Sequence, residues 1–253
     1  MPDAVRYEVV GGVAWVTIDR ADARNALSAA VRTGLLDATH RFNTDAAARV
    51  MVLTGAGDRA FCAGGDLKEM AENELRVPPR DFVPQFGRTV AVAKPTIAAV
   101  NGVAYAGGFL LALMCDLVVA ADHARFAVTE AKVGRGAPWA ARLAHIVPPR
   151  IAMELLVTGD PIDAHRAHAL GFVNAVVPMD DLHATAQGLG ERIAANAPLS
   201  VAAAKTMVRE IWDSDPDAFA RAEALWEPVY LSEDAQEGPR AFRERRPPEW
   251  RGR

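Results

Sequence analysis

The sequence predicts an α/β protein in which helices cover the faces of a parallel sheet. Two observations carry that prediction. A strand–loop–helix unit occurs twice: RVMVLTGAG leads through FCAGG into DLKEM, and PTIAAV leads through NGVAYAGG into FLLALM. That alternation builds a sheet with helices packed on it. The strands themselves, RVMVL, TIAAV and LVVAA, are apolar without alternation, the pattern of strands buried on both faces.

The elements follow in order. Residues 5–19 read as two short strands around Gly11-Gly12, a hairpin signal. Leu27, Val31, Leu35, Leu36 and His40 have helical spacing and predict one helix from Asp22 to Phe42. Residues 49–53 are a buried strand, and FCAGGDLKEM leads into a second helix. Residues 71–87, with Pro78, Pro79 and Pro84, read as a loop-rich insertion. TVAVAKPTIAAV ends in a buried strand, followed by a helix that starts on glycines. LVVAA and ARFAVTEAK give two more strands. IAMELLVTGDPIDAHRAHALGFVNAVVP reads as helix, turn, helix and short strand. Residues 180–243 are mostly helical, with Pro198 and Pro216 at helix starts, and RRPPEWRGR is irregular. A shift in composition near residue 198 separates a 1–197 core from a 198–253 helical region.

A chain of 253 residues suffices for one large domain, or a domain with a small appendage. A net charge of −4 argues against a nucleic-acid surface, whose signature is basic. Cys62 and Cys115 fall in no C-x-x-C or metal-type spacing, which predicts a reduced, cytoplasmic protein. The stretch MPDAVRYEVV carries an early acid and then alternates, so no signal peptide is expected. No run of 18 apolar residues predicts a membrane span. His165 and His168 are three apart, but no acidic or cysteine ligand set accompanies them, so they read as a solvated helix face and no metal is expected.

The glycines carry the chemistry. Gly107-Gly108 open a helix whose first turn, Phe109-Leu110-Leu111, is wholly apolar. Each glycine costs about 1 kcal/mol there relative to alanine. What it brings is close backbone approach and N–H groups at the positive end of a helix. Such a place binds an anion, or an oxygen that becomes one during reaction. Gly64-Gly65 offer the same feature in the other unit, so that amides from two loops converge on one oxygen. Tight packing of helix on strand is the alternative reading of either pair. Gly55, Gly57 and Ala60 echo a dinucleotide fingerprint, but no helix opens after them.

FCAGGDLKEM, KPTIAAVNGVAYAGGFLLALMCDLVVAADHARF and LLVTGDPIDAHRAHALGFVNAVVP resemble the crotonase (enoyl-CoA hydratase/isomerase) superfamily, as do RNAL at 24–27 and SEDAQEGPRAFRERRPPEW near the end. The resemblance spans essentially the whole chain. It implies a spiral of ββα units with a C-terminal helical trimerisation region, and hence a homotrimer or a dimer of trimers. It implies an acyl-CoA thioester as substrate, with coenzyme A entering only as part of that substrate and no separate cofactor. By this match the oxyanion hole is the backbone N–H of Ala63 and that of Gly107. Ala23, Arg24, Gly64, Gly65, Asp66, Leu67 and Lys68 become the contacts for the coenzyme A end.

Family hydratases hold two glutamates. One lies three residues after the oxyanion glycine and the other twenty further on, which here are Leu110 and Glu130. One carboxylate is therefore replaced and one present. Leu110 lies one turn from Gly107 and faces the same site. Hydration uses two carboxylates to orient water, whereas moving a proton between carbons needs one, acting as base and then acid. Leu110 with Glu130, and the segment Ala137-Pro138-Trp139, resemble the mitochondrial type of 3,2-enoyl-CoA isomerase, so 3-enoyl-CoA to 2-enoyl-CoA isomerisation is the preferred activity. Pro138 and Trp139 join Leu110 as expected pocket residues. A 2-enoyl-CoA hydratase is the alternative, because the ends also resemble bacterial hydratases and carnitinyl-CoA dehydratases. A silent acyl-CoA-binding homologue is the second. An apolar neighbour predicts a raised pKa for Glu130. Arg135 reads as a solvated arginine or a substrate contact. The basic tail, with Arg240, Arg243, Arg245, Arg246, Arg251 and Arg253, reads as a solvated extension.

Overall fold

The computed structural model describes residues 4–73, 75–212, 218–249 and 251; the expected helix start at Pro216 and the tail's Arg253 lie outside them. Strands β1 (Val5–Val10) and β2 (Val13–Ile18) pair antiparallel across Gly11-Gly12, whose φ angles of 58° and 80° make the tight reversal. The periodic stretch after them is not one helix. Ala21–Ala23 form a single 3-10 turn, Arg24 and Asn25 take positive φ, and α1 (Ala29–Thr44) begins only after Ser28. The reason is tertiary. The buried Asn25 side chain accepts from the Arg20 N–H and donates to the carbonyls of Ala56 and Ala60. These bonds hold it in the left-handed region that asparagine tolerates, and they override helical periodicity. The Ser28 hydroxyl then caps α1 through the Val31 N–H.

The repeated unit contains more than the pattern of apolar runs reveals. β3 (Val50–Gly55) continues into β4 (Ala60–Cys62) before α2 (Leu67–Glu72). β5 (Thr96–Val100) continues into β6 (Val103–Tyr105) before α3 (Gly107–Met114). β7 (Leu117–Ala121) continues into β8 (Arg125–Ala127), followed by a 3-10 turn at Glu130–Val133 and another at Pro138–Arg142. Then come α4 (Leu143–Ile146), α5 (Pro149–Thr158), β9 (Ile162–Asp163), α6 (Ala164–Ala169) and β10 (Ala175–Val177). Each unit thus gives one strand to each of two sheets. The larger has the order β1-β2-β3-β5-β7-β10 and is parallel from β2 onward; the smaller has the order β4-β6-β8-β9. β4 and β6 have three residues each, too few to show a period.

Long helices complete the layers: α7 (Met179–Ala194), α8 (Pro198–Trp212), α9 (Ala218–Leu231) and α10 (Glu233–Glu244). Leu182 and Ala186 of α7 pack on Val13, Val50, Val52, Ile97 and Val119 from one face of the large sheet. The other face meets the main core, which holds α1, α3 and the small sheet. Burial on both faces explains the unbroken apolar strands. No described helix is long and apolar enough to cross a membrane.

Asp116, at the turn from α3 into β7, ties α8 to this core. Its carboxylate accepts from the N–H and hydroxyl of Thr96 and pairs with Lys205 at 2.9 Å and Arg209 at 2.8 Å, all three side chains being largely buried. Asp116→Ala leaves two cations without their shared counter-charge, and it is expected to cost about 3 kcal/mol or more in urea-unfolding stability. A loss below about 1 kcal/mol, the value of an exposed pair, would show that these charges are effectively solvated.

Candidate active site

The register of the small sheet decides which amides meet. β4 and β6 run parallel with Cys62 opposite Ala104, so the loops after them emerge side by side. An alignment of letters sets A-G-G of residues 63–65 on A-G-G of 106–108. The register shifts that match by one and puts Gly64 beside Ala106 and Gly65 beside Gly107. A side chain on Gly64 would begin 2.8 Å from Ala106 Cβ, and one on Gly107 would begin 4.0 Å from the Gly65 nitrogen. Gly64 and Ala106 both have positive φ, 96° and 50°. In each loop a left-handed residue turns the chain, and the next N–H points out of it.

This corrects the expectation for Ala63. Its N–H donates to the Arg24 carbonyl at 3.0 Å, and Ala63 does not line the cavity. The Gly64 N–H approaches Cys62 Sγ. The N–H groups of Gly65 and Gly107 have no partner among the described residues, and both glycines line a cavity of about 470 Å³. Gly107 is the first residue of α3, where the orphan N–H groups and the positive end of the helix lie. The packing reading of the glycines holds as well, one residue on: a side chain on Gly108 would begin 2.0 Å from the Cys62 carbonyl oxygen.

Glu130 enters the same cavity from the 3-10 turn after β8 and is 7% exposed. Leu110 and Trp139 share the wall with it. The Trp139 indole N–H donates to Glu130 Oε1 at 2.9 Å, while Oε2 is buried with no hydrogen-bond partner among the described residues. Burial pushes the carboxyl up to about 7, against the pull of the indole and a backbone N–H toward the charged form. Trp139 is itself fixed by an aromatic group, edge-on to Phe109, which meets Phe126 and Phe172. The carboxyl therefore has one oxygen held and one free, beside two free amides.

The remaining expected residues divide. Leu67 and Pro138 line the cavity. Asp66 caps α2 and pairs with Arg20 at 2.6 Å, so its carboxylate is engaged. Ala23, Arg24 and Lys68 are not on the cavity wall; Arg24 lines a separate surface depression with Arg59 and His123. Arg135 is not a solvated arginine: it is 4% exposed, lines the cavity, and donates to the carbonyls of Leu75 and Arg76. The tail is not a free extension either. Arg246 pairs with Glu237 and Glu244, and the Glu249 N–H donates to Glu237.

The C-terminal helices press on the Glu130 turn from behind. Gly238 of α10 sits where a side chain would begin 2.0 Å from the Val133 carbonyl oxygen. The Tyr230 hydroxyl of α9 donates to the Gly136 carbonyl at 2.8 Å. This buttress escapes a reading of the sequence by itself, and Gly65 is read there as a coenzyme A contact with no sign that its own amide is the unpartnered one. The signal for that amide is its place directly after Gly64, the residue best able to take the left-handed turn.

Comparison with known proteins points one way. A family model described as Enoyl-CoA hydratase/isomerase matches residues 8–253. The chain is 39% identical to the carnitinyl-CoA dehydratases of Salmonella arizonae and Proteus mirabilis, over the full length of each chain. Among solved structures, it is similar to the carnitinyl-CoA hydratase of Mycobacterium avium, with a TM-score of 0.89 at 39% identity and full coverage of both chains. It is also similar to an enoyl-CoA hydratase of Mycobacterium tuberculosis, with a TM-score of 0.82 at 35% identity, covering 91% of this chain and 100% of that one.

The buried carboxyl has a consequence for stability. Between its ordinary value of 4.5 and about 7, the folded protein keeps a proton that the unfolded chain has released. This contribution to stability is complete below pH 4.5 and is lost as pH rises through about 7, a change of about 3 kcal/mol. Glu130→Gln removes the dependence while keeping an acceptor for Trp139. Urea unfolding of both proteins at pH 5 and pH 8 should show the variant gaining on the wild type at the higher pH. An equal difference at the two values would mean that the carboxyl is not desolvated.

Proposed function

Because the chain belongs to the enoyl-CoA hydratase/isomerase family, we propose that it moves a double bond within an acyl-CoA thioester by one-base proton transfer, converting a 3-enoyl-CoA to a 2-enoyl-CoA. The observation that carries this reading is the wall around Glu130. Three acidic residues line the cavity among those described. Glu223 is paired with Arg80 and Arg88, Glu227 is exposed, and Glu130 alone is buried. Leucine occupies position 110, where a second acid would face it.

The steps follow from these groups. The thioester carbonyl oxygen accepts from the amides of Gly65 and Gly107. The free oxygen of Glu130 removes a proton from C2 of the 3-enoyl group. The negative charge moves onto the thioester oxygen, where the two amides and the positive end of α3 stabilise it. Glu130, now a carboxylic acid, returns the proton to C4, and the double bond settles at C2. Each aimed donor of this kind is worth about 3 kcal/mol in enzymes that use one. The reaction needs no cofactor beyond the thioester. The coenzyme A end is assigned to the surface around Ala23, Arg24, Leu67 and Lys68. The homotrimer that the family resemblance implies would find an apolar face in the exposed Leu199, Met207 and Val208 of α8.

A second reading, reversible addition of water to a 2-enoyl-CoA, is supported by the names of the relatives, which are dehydratases and hydratases. It would require water to be oriented without a carboxylate at position 110.

Product analysis by mass spectrometry separates the readings. Isomerisation gives a mass-neutral product from 3-enoyl-CoA, whereas hydration adds one water to 2-enoyl-CoA. Binding of both without turnover would leave only an acyl-CoA-binding protein. Glu130→Gln is expected to lower the isomerisation rate by about 10³-fold. The kcat/KM of the wild type should rise with pH to a plateau, with a midpoint near the value of about 7 at Glu130, because the base must be ionised. Trp139→Phe removes a donor to the ionised carboxylate and should move that midpoint upward. A midpoint that does not move would deny Trp139 a part in holding the base.

A further inference from the structure

Arg135 lines the cavity, is 4% exposed, and has no acidic partner among the described residues. One terminal nitrogen donates to the Leu75 carbonyl at 2.8 Å and the other to the Arg76 carbonyl at 2.7 Å. Its guanidinium carbon lies 5.1 Å from the centre of the Tyr230 ring. A guanidinium has five N–H donors, so these contacts leave several unused. Carbonyl dipoles and a ring face offset part of the cost of burying a cation, but a buried cation is normally paired with an anion. Among the described residues none is supplied. Arg80 and Arg88, the other cations on the cavity wall, share Glu223.

Position decides what the missing anion is. Arg135, Tyr230 and Glu130 all line the one cavity, with the guanidinium against the Tyr230 ring. A thioester whose carbonyl rests on Gly65 and Gly107 passes Glu130 with its reacting carbons. The rest of its acyl chain then extends along the same wall. We propose that Arg135 is a subsite for an anionic acyl terminus, so that the preferred substrate is the coenzyme A monothioester of a dicarboxylic acid. The assignment rests on Glu130 and the two amides marking the reacting end. A planar guanidinium fork donates two parallel hydrogen bonds to a carboxylate. Tyr230 and the carbonyls of Leu75 and Arg76 hold the fork before substrate arrives.

The test is isothermal titration of the full-length protein with glutaryl-CoA and pentanoyl-CoA, unreactive thioesters of equal length that differ in the terminal carboxylate. The wild type is expected to bind glutaryl-CoA about tenfold tighter or better, and added salt should erode that preference. Arg135→Met should bring the ratio of the two affinities close to one. Arg135→Lys keeps a charge but loses the fork, and should retain only part of the preference. Equal binding in the wild type, or a preference that survives Arg135→Met, would overturn the subsite and leave Arg135 as an anchor for residues 75 and 76. If Arg135→Met fails to fold, the wild-type ratio and the lysine variant decide, an unchanged ratio in the latter counting against the proposal. Binding is read apart from turnover. A glutaryl preference in a protein with no isomerase activity would remove the catalytic reading and keep the subsite; equal binding in an active isomerase would do the reverse.

Discussion

The close contact between the Cys62 carbonyl and Gly108 sets the position of everything else in the site. It presses the first turn of α3 onto the end of β4, and only a residue without a side chain permits it. The helix gives up about 1 kcal/mol of propensity at each glycine. In return, backbone from two different units meets at contact distance, and the amides of Gly65 and Gly107 come to one edge of the cavity. Ala106 adds to this cost. It is a non-glycine residue at φ 50° and ψ −120° immediately before the donor, a conformation that carries strain of order 1–3 kcal/mol. Strain of that kind persists only where the surroundings over-determine it, and here the surroundings are β6, β8 and the Gly64 loop.

α3 is anchored at its other end by opposite means. Its last carbonyls and Asp116 face Arg209, whose guanidinium donates to the Met114 carbonyl as well as to Asp116. A cation at a helix C-terminus complements the negative end of its dipole. The two ends thus divide the work. Bare backbone is offered to the cavity at one end, and charge is neutralised by charge at the other. Glu130 fits this division, since its environment is apolar and its one strong partner is a neutral indole. Little opposite charge offsets the burial of this carboxyl, which brings its titration toward neutral pH.

Much of this was legible in the sequence, and the failures have definite causes. Strand–loop–helix order and unbroken apolar strands identified the layers. The family resemblance led from Gly107 to Leu110 and Glu130, because the positions it implies can be counted along the chain. The resemblance pointed to Ala63, two positions short of Gly65, because a family match by letters does not say which amide of the loop is left without a partner. Cys62 pairs with Ala104, and that register sets Gly65 beside Gly107. No local pattern encodes that register, which is set by the contact of two three-residue strands. The late start of α1 was likewise decided at a distance, by carbonyls of residues 56 and 60 that bind Asn25. Arg135 looked like a surface residue because arginines usually are. Its partners are carbonyls sixty and fifty-nine positions away, and carbonyls leave no trace in composition.

The contact of Gly238 with Val133 bears on the order in which the molecule becomes competent. A polypeptide leaves the ribosome N-terminus first, and its early domains fold as they emerge. Both sheets and the amides at residues 65 and 107 lie in chain made before α8. The turn that carries Glu130 is also made early, yet its backing arrives with Tyr230 and Gly238, after both sheets are made. A nascent chain therefore holds the two unpartnered amides before it holds the backing of the Glu130 turn. On the proposed reading, the donors for a negative oxygen are in place before the base is buttressed, and full activity awaits the docking of α10.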